Sequence, residues 1–277
     1  MSTQAGAVVE KDQTDLAERV AEVTWYHSIE LPGGIVTPGE YDLRTVVDRA
    51  LMPASLAGRR CLDVGTHDGF WAFTMARRGA QEVVAIDLED PARLDWPLPA
   101  PELSPELRQH LADRRRAFWI AQEALGSSVD RRDLSVYDLS PEAVGTFDFA
   151  FIGTLLQHLR DPVGALMAVR RVVTGELLIS TVFSPSETIL HPRRGRAEIL
   201  DIDGPFWTAA NLAGLKRQAR SAGWSVVRWG RPYFQPYGSG WRMPPLFLNR
   251  KALSSLPRQL LLRLGALHIS LLVRPVR

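Results

Sequence analysis

Short apolar runs alternate with stretches of helical spacing along most of the chain. The runs predict strands over 60–64 ("RCLDV"), 82–87 ("EVVAID"), 129–136, 147–152 ("FDFAFI"), 176–182 ("ELLISTV"), 224–230 and 267–273. Between them, periodic segments predict helices over 70–78, 105–125, 161–172, 208–222 and 251–264. Upstream, Leu16, Val20 and Val23 follow a capping Thr14, so a helix is expected over 14–23. A second helix over 41–52 should lead into the first core strand. "WYHSIELPGGIVTPGEYD" between them reads as a structured loop, and the proline-rich "DPARLDWPLPAPELSP" as an irregular excursion. Strands alternating with helices imply a parallel sheet with crossover helices. The last strand follows a long connection, so it should insert beside an earlier strand and run antiparallel. The expected fold is α/β: a doubly wound, seven-stranded, mostly parallel sheet with an N-terminal helical lid. Residues 1–55 would form the lid and 56–277 the main domain, with insertions near 183–207 and 236–264.

Composition narrows this picture without changing it. The 277 residues suffice for one large domain, and the single cysteine, Cys61, excludes a disulfide framework or a cysteine-based zinc site. The N-terminus lacks the apolar region of a signal peptide, and "LLLRLGALHISLLV" is broken by Arg263, so no membrane span is expected and the cytoplasm is the expected location. The net charge of +2 hides a split. Residues 1–190 carry 18 basic against 28 acidic side chains, whereas 191–277 carry 15 against 3. Such a segment either meets an anionic partner or is balanced by the rest of the chain.

The chemistry gathers in "CLDVGTHDGFWAF", where the first strand should turn into the first helix. In open α/β sheets ligands bind beyond the carboxyl ends of strands. Gly65 permits the tight turn, and Gly69 lets the helix start approach a strand or ligand. Asp87, 22 residues past Gly65 at the end of the next strand, is placed to accept hydrogen bonds from ribose hydroxyls. A dinucleotide site would show G-x-G-x-x-G. Here Asp63 and Asp68 flank the turn, a poor setting for a pyrophosphate but a good one for an ammonium and a sulfonium. S-adenosylmethionine (SAM) carries both cations and a ribose. The bland alternative is a glycine turn that binds nothing.

On these motifs the chain resembles class I SAM-dependent methyltransferases, with a Rossmann-like fold. "LDVGTHDG" is similar to their first motif, "VVAIDLED" to the ribose-binding strand, "GTFDFAFIGTLLQHLRDP" to the fourth-strand motif and "FWTAANLAGLKRQARSAGW" to the helix before the sixth strand. The resemblance implies that Asp63 and Gly65 flank the methionine moiety, that Asp87 holds the ribose, and that Ser135 and Val136 border the adenine. It also implies cofactor contacts from Thr66, His67, Gly69, Leu88 and Gly153. His67 stands where the family usually has glycine.

"WYHSIELPGGIVTPG", "LLQHLRDP" and "FWTAANL" further resemble the tRNA wobble-uridine carboxymethyltransferase family, which uses carboxy-SAM. Gln157 and Leu159 replace that family's tyrosine and arginine beside the motif histidine, which argues for ordinary SAM. The expected reaction is methyl transfer to a nucleophilic N, O or C atom of a small-molecule acceptor, leaving S-adenosylhomocysteine (SAH). Modification of a tRNA base is the alternative, and a SAM-binding protein without transfer activity is a third reading. His158 is the candidate base, its competing role being a bond to a backbone carbonyl. Tyr26 and His27 would either close over the substrate or anchor the N-terminal segment. The aromatic and arginine residues of 228–242 would either stack on unpaired bases or pack on the core.

Overall fold

The first core strand becomes the middle of the sheet. The computed structural model describes residues 13–100, 102–200, 204–243 and 263–276. A helix over 13–21, α1, leads to two three-residue strands, β1 (Trp25–His27) and β2 (Gly39–Tyr41), which pair in parallel. Next come β3 (Arg60–Val64), α2 (Phe70–Arg77), β4 (Glu82–Asp87), α3 (Pro105–Ala124), β5 (Asp130–Asp133), α4 (Pro141–Val144) and β6 (Phe147–Gly153). The rest comprises α5 (Pro162–Val172), β7 (Val173–Val182), α6 (Pro185–Leu190), β8 (Ala197–Ile199), β9 (Thr208–Ala210), α7 (Leu212–Ser221), β10 (Trp224–Trp229), β11 (Tyr233–Gln235) and β12 (Ala266–Pro275).

Seven strands run in the order β10-β12-β7-β6-β3-β4-β5, with β11 added beside the start of β12. The five strands from β7 to β5 are parallel neighbours, whereas β12 runs antiparallel to both β7 and β10. The late strand therefore inserts as expected. From β3 the chain steps outward through β4 to β5, then returns to place β6 on the other side of β3. That reversal opens a crevice at the carboxyl ends of β3 and β6. β6 owes its central place to Phe147, Phe149, Ala150, Phe151 and Ile152, all buried, since a strand covered on both faces reads as a continuous apolar run.

Capping residues fix the helices on either side. Ser104, Asp161 and Asn211 accept from the first-turn N–H groups of α3, α5 and α7, and Pro105 and Pro162 stand where an N–H would go unused. One face of the sheet packs on α5 and α7. The other packs on α2, α3 and the N-terminal segment, whose Val20, Trp25, Ile29 and Leu43 share one core with Phe70, Phe73 and Phe118.

Some expectations need correction. Residues 41–52 form no α-helix. Leu43–Thr45 is a 3-10 turn, followed by Ala50 N–H to Val46 O, Leu51 N–H to Asp48 O and Met52 N–H to Val47 O, so the hydrogen-bond step varies along the segment and no regular α-helical ladder forms. The apolar spacing is still honoured, because Leu43, Val46, Val47 and Ala50 are all buried. The strand expected over 129–136 stops at Asp133, and Val136–Asp138 is a 3-10 turn capped by Ser135. Residues 208–210 of the expected helix 208–222 are β9, which pairs with β8. The helix expected over 251–264 falls almost wholly outside the described residues.

Candidate active site

The turn after β3 is drawn toward β4 by Gly65 and Thr66, whose N–H groups both donate to Ile86 O. Gly65 has φ +77 and lies against Leu155, and Gly69 has φ +91 at the start of α2. A Cβ on Gly69 would land on Phe73 and Phe118, so only glycine fits there. His67, at φ +56, donates its N–H to Asp87 Oδ2 at 2.7 Å, and Leu88 N–H donates to Oδ1 at 2.8 Å. Asp87 is thus oriented at the end of β4, with lone pairs left for a ligand.

Several buried polar atoms at this turn have no partner: Asp63 Oδ2, Thr66 Oγ1 and both ring nitrogens of His67. Buried polar atoms are normally hydrogen-bonded, so such a cluster marks a place where a ligand completes the set. Burial pushes the Asp63 carboxyl up to about 7, and burial also keeps His67 well below the usual histidine range. An ammonium presented to Asp63 would supply its missing donor and countercharge. The free carboxyl holds a proton below pH 7 that an ammonium ligand must expel. Affinity for SAH should therefore rise as pH increases through about 7, with proton release on binding. Asp63→Asn should flatten that dependence and weaken binding about tenfold at pH 8. Calorimetry in buffers of different ionisation enthalpy measures both effects.

Asp68 does not face a ligand. It is fully buried and accepts from Tyr26 N–H (3.0 Å), His27 N–H (2.7 Å) and His27 Nδ1 (2.5 Å). β1 is therefore clamped to the turn, with Trp25 buried and its indole N–H given to Val20 O. Tyr26 stacks on His67 with centroids 4.3 Å apart. The aromatic contacts continue through Tyr41 and Tyr237 to Trp241, which joins the "RPYFQPYGSGWR" segment to the turn.

Across the crevice, Gly153 ends β6 and Thr154 follows at φ +53. His268 donates Nδ1–H to Ala266 O, leaving Nε2 to accept from Thr154 Oγ1 at 3.0 Å. Burial lowers His268 to about 4, so the ring is neutral. Ser180 and Tyr233 hydroxyls meet at 2.6 Å nearby. These polar residues inside otherwise apolar strands escaped the sequence reading, although Ser180, Thr181, His268 and Ser270 interrupting β7 and β12 were a usable signal.

His158 ends the 3-10 turn Leu156–His158 that follows β6. Its Nδ1–H donates to Pro205 O at 2.9 Å, its ring lies 4.4 Å from Phe206, and Gln157 Nε2 approaches its Nε2 at 3.3 Å. Gln157 and Leu159 are buried, Leu159 within the core. Ser135 and Val136 lie past β5. A cavity of about 440 Å³ opens beside Asp87 and Leu88, bounded by Glu89, Arg114, Trp119 and Arg131. Asp63, Gly65, Thr66, His67, Asp87 and Leu88 are thus brought to one place.

A family model described as a methyltransferase domain matches residues 39–228. Ubiquinone biosynthesis O-methyltransferases are similar in sequence. That of Xanthomonas oryzae pv. oryzae is 38% identical over 131 residues, covering 46% of this chain and 44% of the relative. That of Xanthomonas campestris pv. campestris is 35% identical over 140 residues, covering 49% and 48%. The chain spans about half the length of these curated relatives. Among solved structures, the N-terminal domain of EvdMO1, crystallised in the presence of SAH and D-fucose, aligns with a TM-score of 0.57. It is 18% identical and covers 96% of this chain and 97% of that one, a likeness of fold. Among the described residues, no helix is long and apolar enough to cross a membrane.

Proposed function

Because the chain belongs to the methyltransferase-domain family, we propose that it moves a methyl group from SAM to a nucleophilic N, O or C atom of a small molecule. The observation that carries this reading is the set of unpartnered buried atoms on Asp63, Thr66 and His67, one strand away from the oriented carboxylate of Asp87. A bound SAM supplies an electrophilic methyl on a sulfonium. The protein's part is to hold donor and acceptor in line, which can account for much of the rate. Asp87 would accept from the ribose hydroxyls, Asp63 would take the ammonium, and the polar group of Thr154, Gln235 and His268 would face the acceptor side. Gly69 would act through the shape of the turn, Gly153 by close approach, and Ser135 and Val136 at the adenine. Tyr26 and His27 hold the N-terminal segment against this site, and residues 1–55 would serve as its cover.

An oxygen acceptor is favoured by the ubiquinone biosynthesis O-methyltransferase relatives. Carboxymethyl transfer to tRNA is the weaker reading, because Gln157 and Leu159 are buried where a donor carboxylate would need a cation and a hydroxyl. Mass spectrometry of ligands retained by the purified protein should show SAM or SAH. Asp87→Ala should weaken SAH about tenfold by calorimetry, the effect of a lost charge-assisted hydrogen bond. Unchanged affinity, or a preference for NAD, would overturn the cofactor reading. Retained SAH with no turnover across hydroxyl, amine and acidic-carbon acceptors would favour the non-catalytic reading.

A further inference from the structure

Arginines in the first part of the chain, such as Arg19, Arg60, Arg93 and Arg132, are paired with carboxylates. By contrast, Arg193, Arg194 and Arg196 on the loop after α6, and Lys216, Arg217 and Arg220 on α7, are exposed and have no ion pair among the described residues. From 191 to 243, Glu198 is the sole acid among the described residues, and its carboxylate is turned to Ser184 Oγ at 3.1 Å. The positive charge of this region is thus not cancelled by the fold. One fully buried side chain builds the surface. Asn211 Nδ2 lies 3.1, 3.0 and 2.9 Å from the carbonyls of Glu187, His191 and Arg194, and its Oδ1 accepts from the N–H groups of Arg196 and Gly214. The loop passes so close to α7 that a Cβ on Gly195 would lie 3.4 Å from Gly214 Cα. On the same stretch Ile189, Leu190 and Ile199 are 78%, 69% and 83% exposed.

Cations gathered without counterions repel one another, and an anionic partner relieves that repulsion. The neighbouring side chains decide which partner fits. Nucleic acid rewards basic grooves that carry aromatic rings, whereas this surface sets aliphatic side chains beside its arginines. Aliphatic tips among cations suit a lipid headgroup layer, where guanidinium groups meet phosphates and Ile and Leu reach the acyl boundary. We propose that the segment 189–199 and α7 dock this protein on an anionic bilayer surface, as a peripheral contact that spans nothing. Further along the same connection, Pro205 O accepts from the His158 ring and Trp207 N–H donates to Gln157 O. Docking therefore brings the border of the candidate site toward the lipid layer.

The test is flotation of the full chain with vesicles of mixed phosphatidylcholine and phosphatidylglycerol, against vesicles of phosphatidylcholine alone. At low salt the protein should float with the anionic vesicles and not with the neutral ones, and added salt should release it. Each arginine near an anionic surface contributes about fivefold, so combining Arg193→Gln, Arg194→Gln and Arg196→Gln should weaken binding at least about thirtyfold. Ile189→Ser with Leu190→Ser leaves the charge unchanged and should weaken binding at least about tenfold. These side chains are exposed, so both variants should keep the wild-type thermal midpoint. No binding of wild type to anionic vesicles would overturn the proposal and leave the surface to an acidic protein. Undiminished binding by either variant would also overturn it, in the serine variant because charge alone would then suffice. Tighter binding of bulk tRNA than of vesicles, lost in the arginine variant, would assign the surface to nucleic acid instead. Neither methyl donor nor acceptor enters the measurement, so its outcome is independent of the methyl-transfer reading.

Discussion

Asp68→Ala is expected to destabilise the protein by about 3–5 kcal/mol, the range for removing one partner of a buried charged network. The carboxylate is fully buried and accepts from two backbone N–H groups and the His27 ring. Alanine would leave all three donors buried and unpaired. The loss should be local before it is global. Hydrogen exchange of Tyr26 and His27 amides should accelerate first, followed by exposure of the segment to protease. His27→Ala should cost less, because Asp68 would keep its two backbone donors. Urea titration measures the global term. A change below about 1 kcal/mol would mean that burial of Trp25 and its neighbours holds the segment, and that the clamp contributes little.

His158→Ala is expected to lower kcat about a hundredfold with an acceptor that loses a proton, and to leave SAH affinity within about twofold. The bond from Nδ1–H to Pro205 O fixes the tautomer and leaves the lone pair on Nε2. Burial lowers the pKa below the ordinary value, so the ring is already neutral at pH 7. The sign follows from that. Activity dependent on this base should be level across pH 7–8 and fall only as pH drops below the normal histidine range. Gln157 must yield its contact at Nε2 for proton transfer, so Gln157→Ala should leave the base competent. Wild-type kcat in His158→Ala would restrict the residue to holding the Pro205–Phe206 segment, the carbonyl-bonding role weighed for it from the sequence.

The central strands β3, β4, β6 and β7 were legible because each holds a run of apolar residues, and the burial of β6 on both faces only sharpens that pattern, whereas edge strand β5, Asp130–Asp133, has no apolar residue of its own. The glycine turn and Asp87 were legible because their spacing reflects one strand–turn–helix unit. Three-residue β1 and β2 were not, since so short a stretch has no period to read. Asp68 was misplaced for a related reason. Its partners lie 41 and 42 residues upstream, so nothing local distinguishes a carboxylate that meets a ligand from one that meets a distant backbone. Arg114 is the converse case. Of the consecutive arginines on α3, Arg115 pairs with Glu89 and Arg116 with Glu22, both distant in sequence, and only the packed helix shows that Arg114 has no ion pair among the described residues.

The placement of β12 has a consequence for how the chain is made. β10 has no other strand to pair with among the described residues, and the free side of β7 is closed by β12 alone. As a nascent chain leaves the ribosome, β3 through β7 can assemble while the flank of β7 still displays unpaired backbone groups. That edge includes the apolar run Leu177, Leu178 and Ile179, a template for strands of other chains. At about 5–20 residues per second, the stretch from β7 to β12 takes several seconds to synthesise. During that interval the open edge of β7 depends on chaperone cover, since α5 shields a face of the sheet and not its edge. Slowing translation after β7 should lower soluble yield more than slowing it before β3.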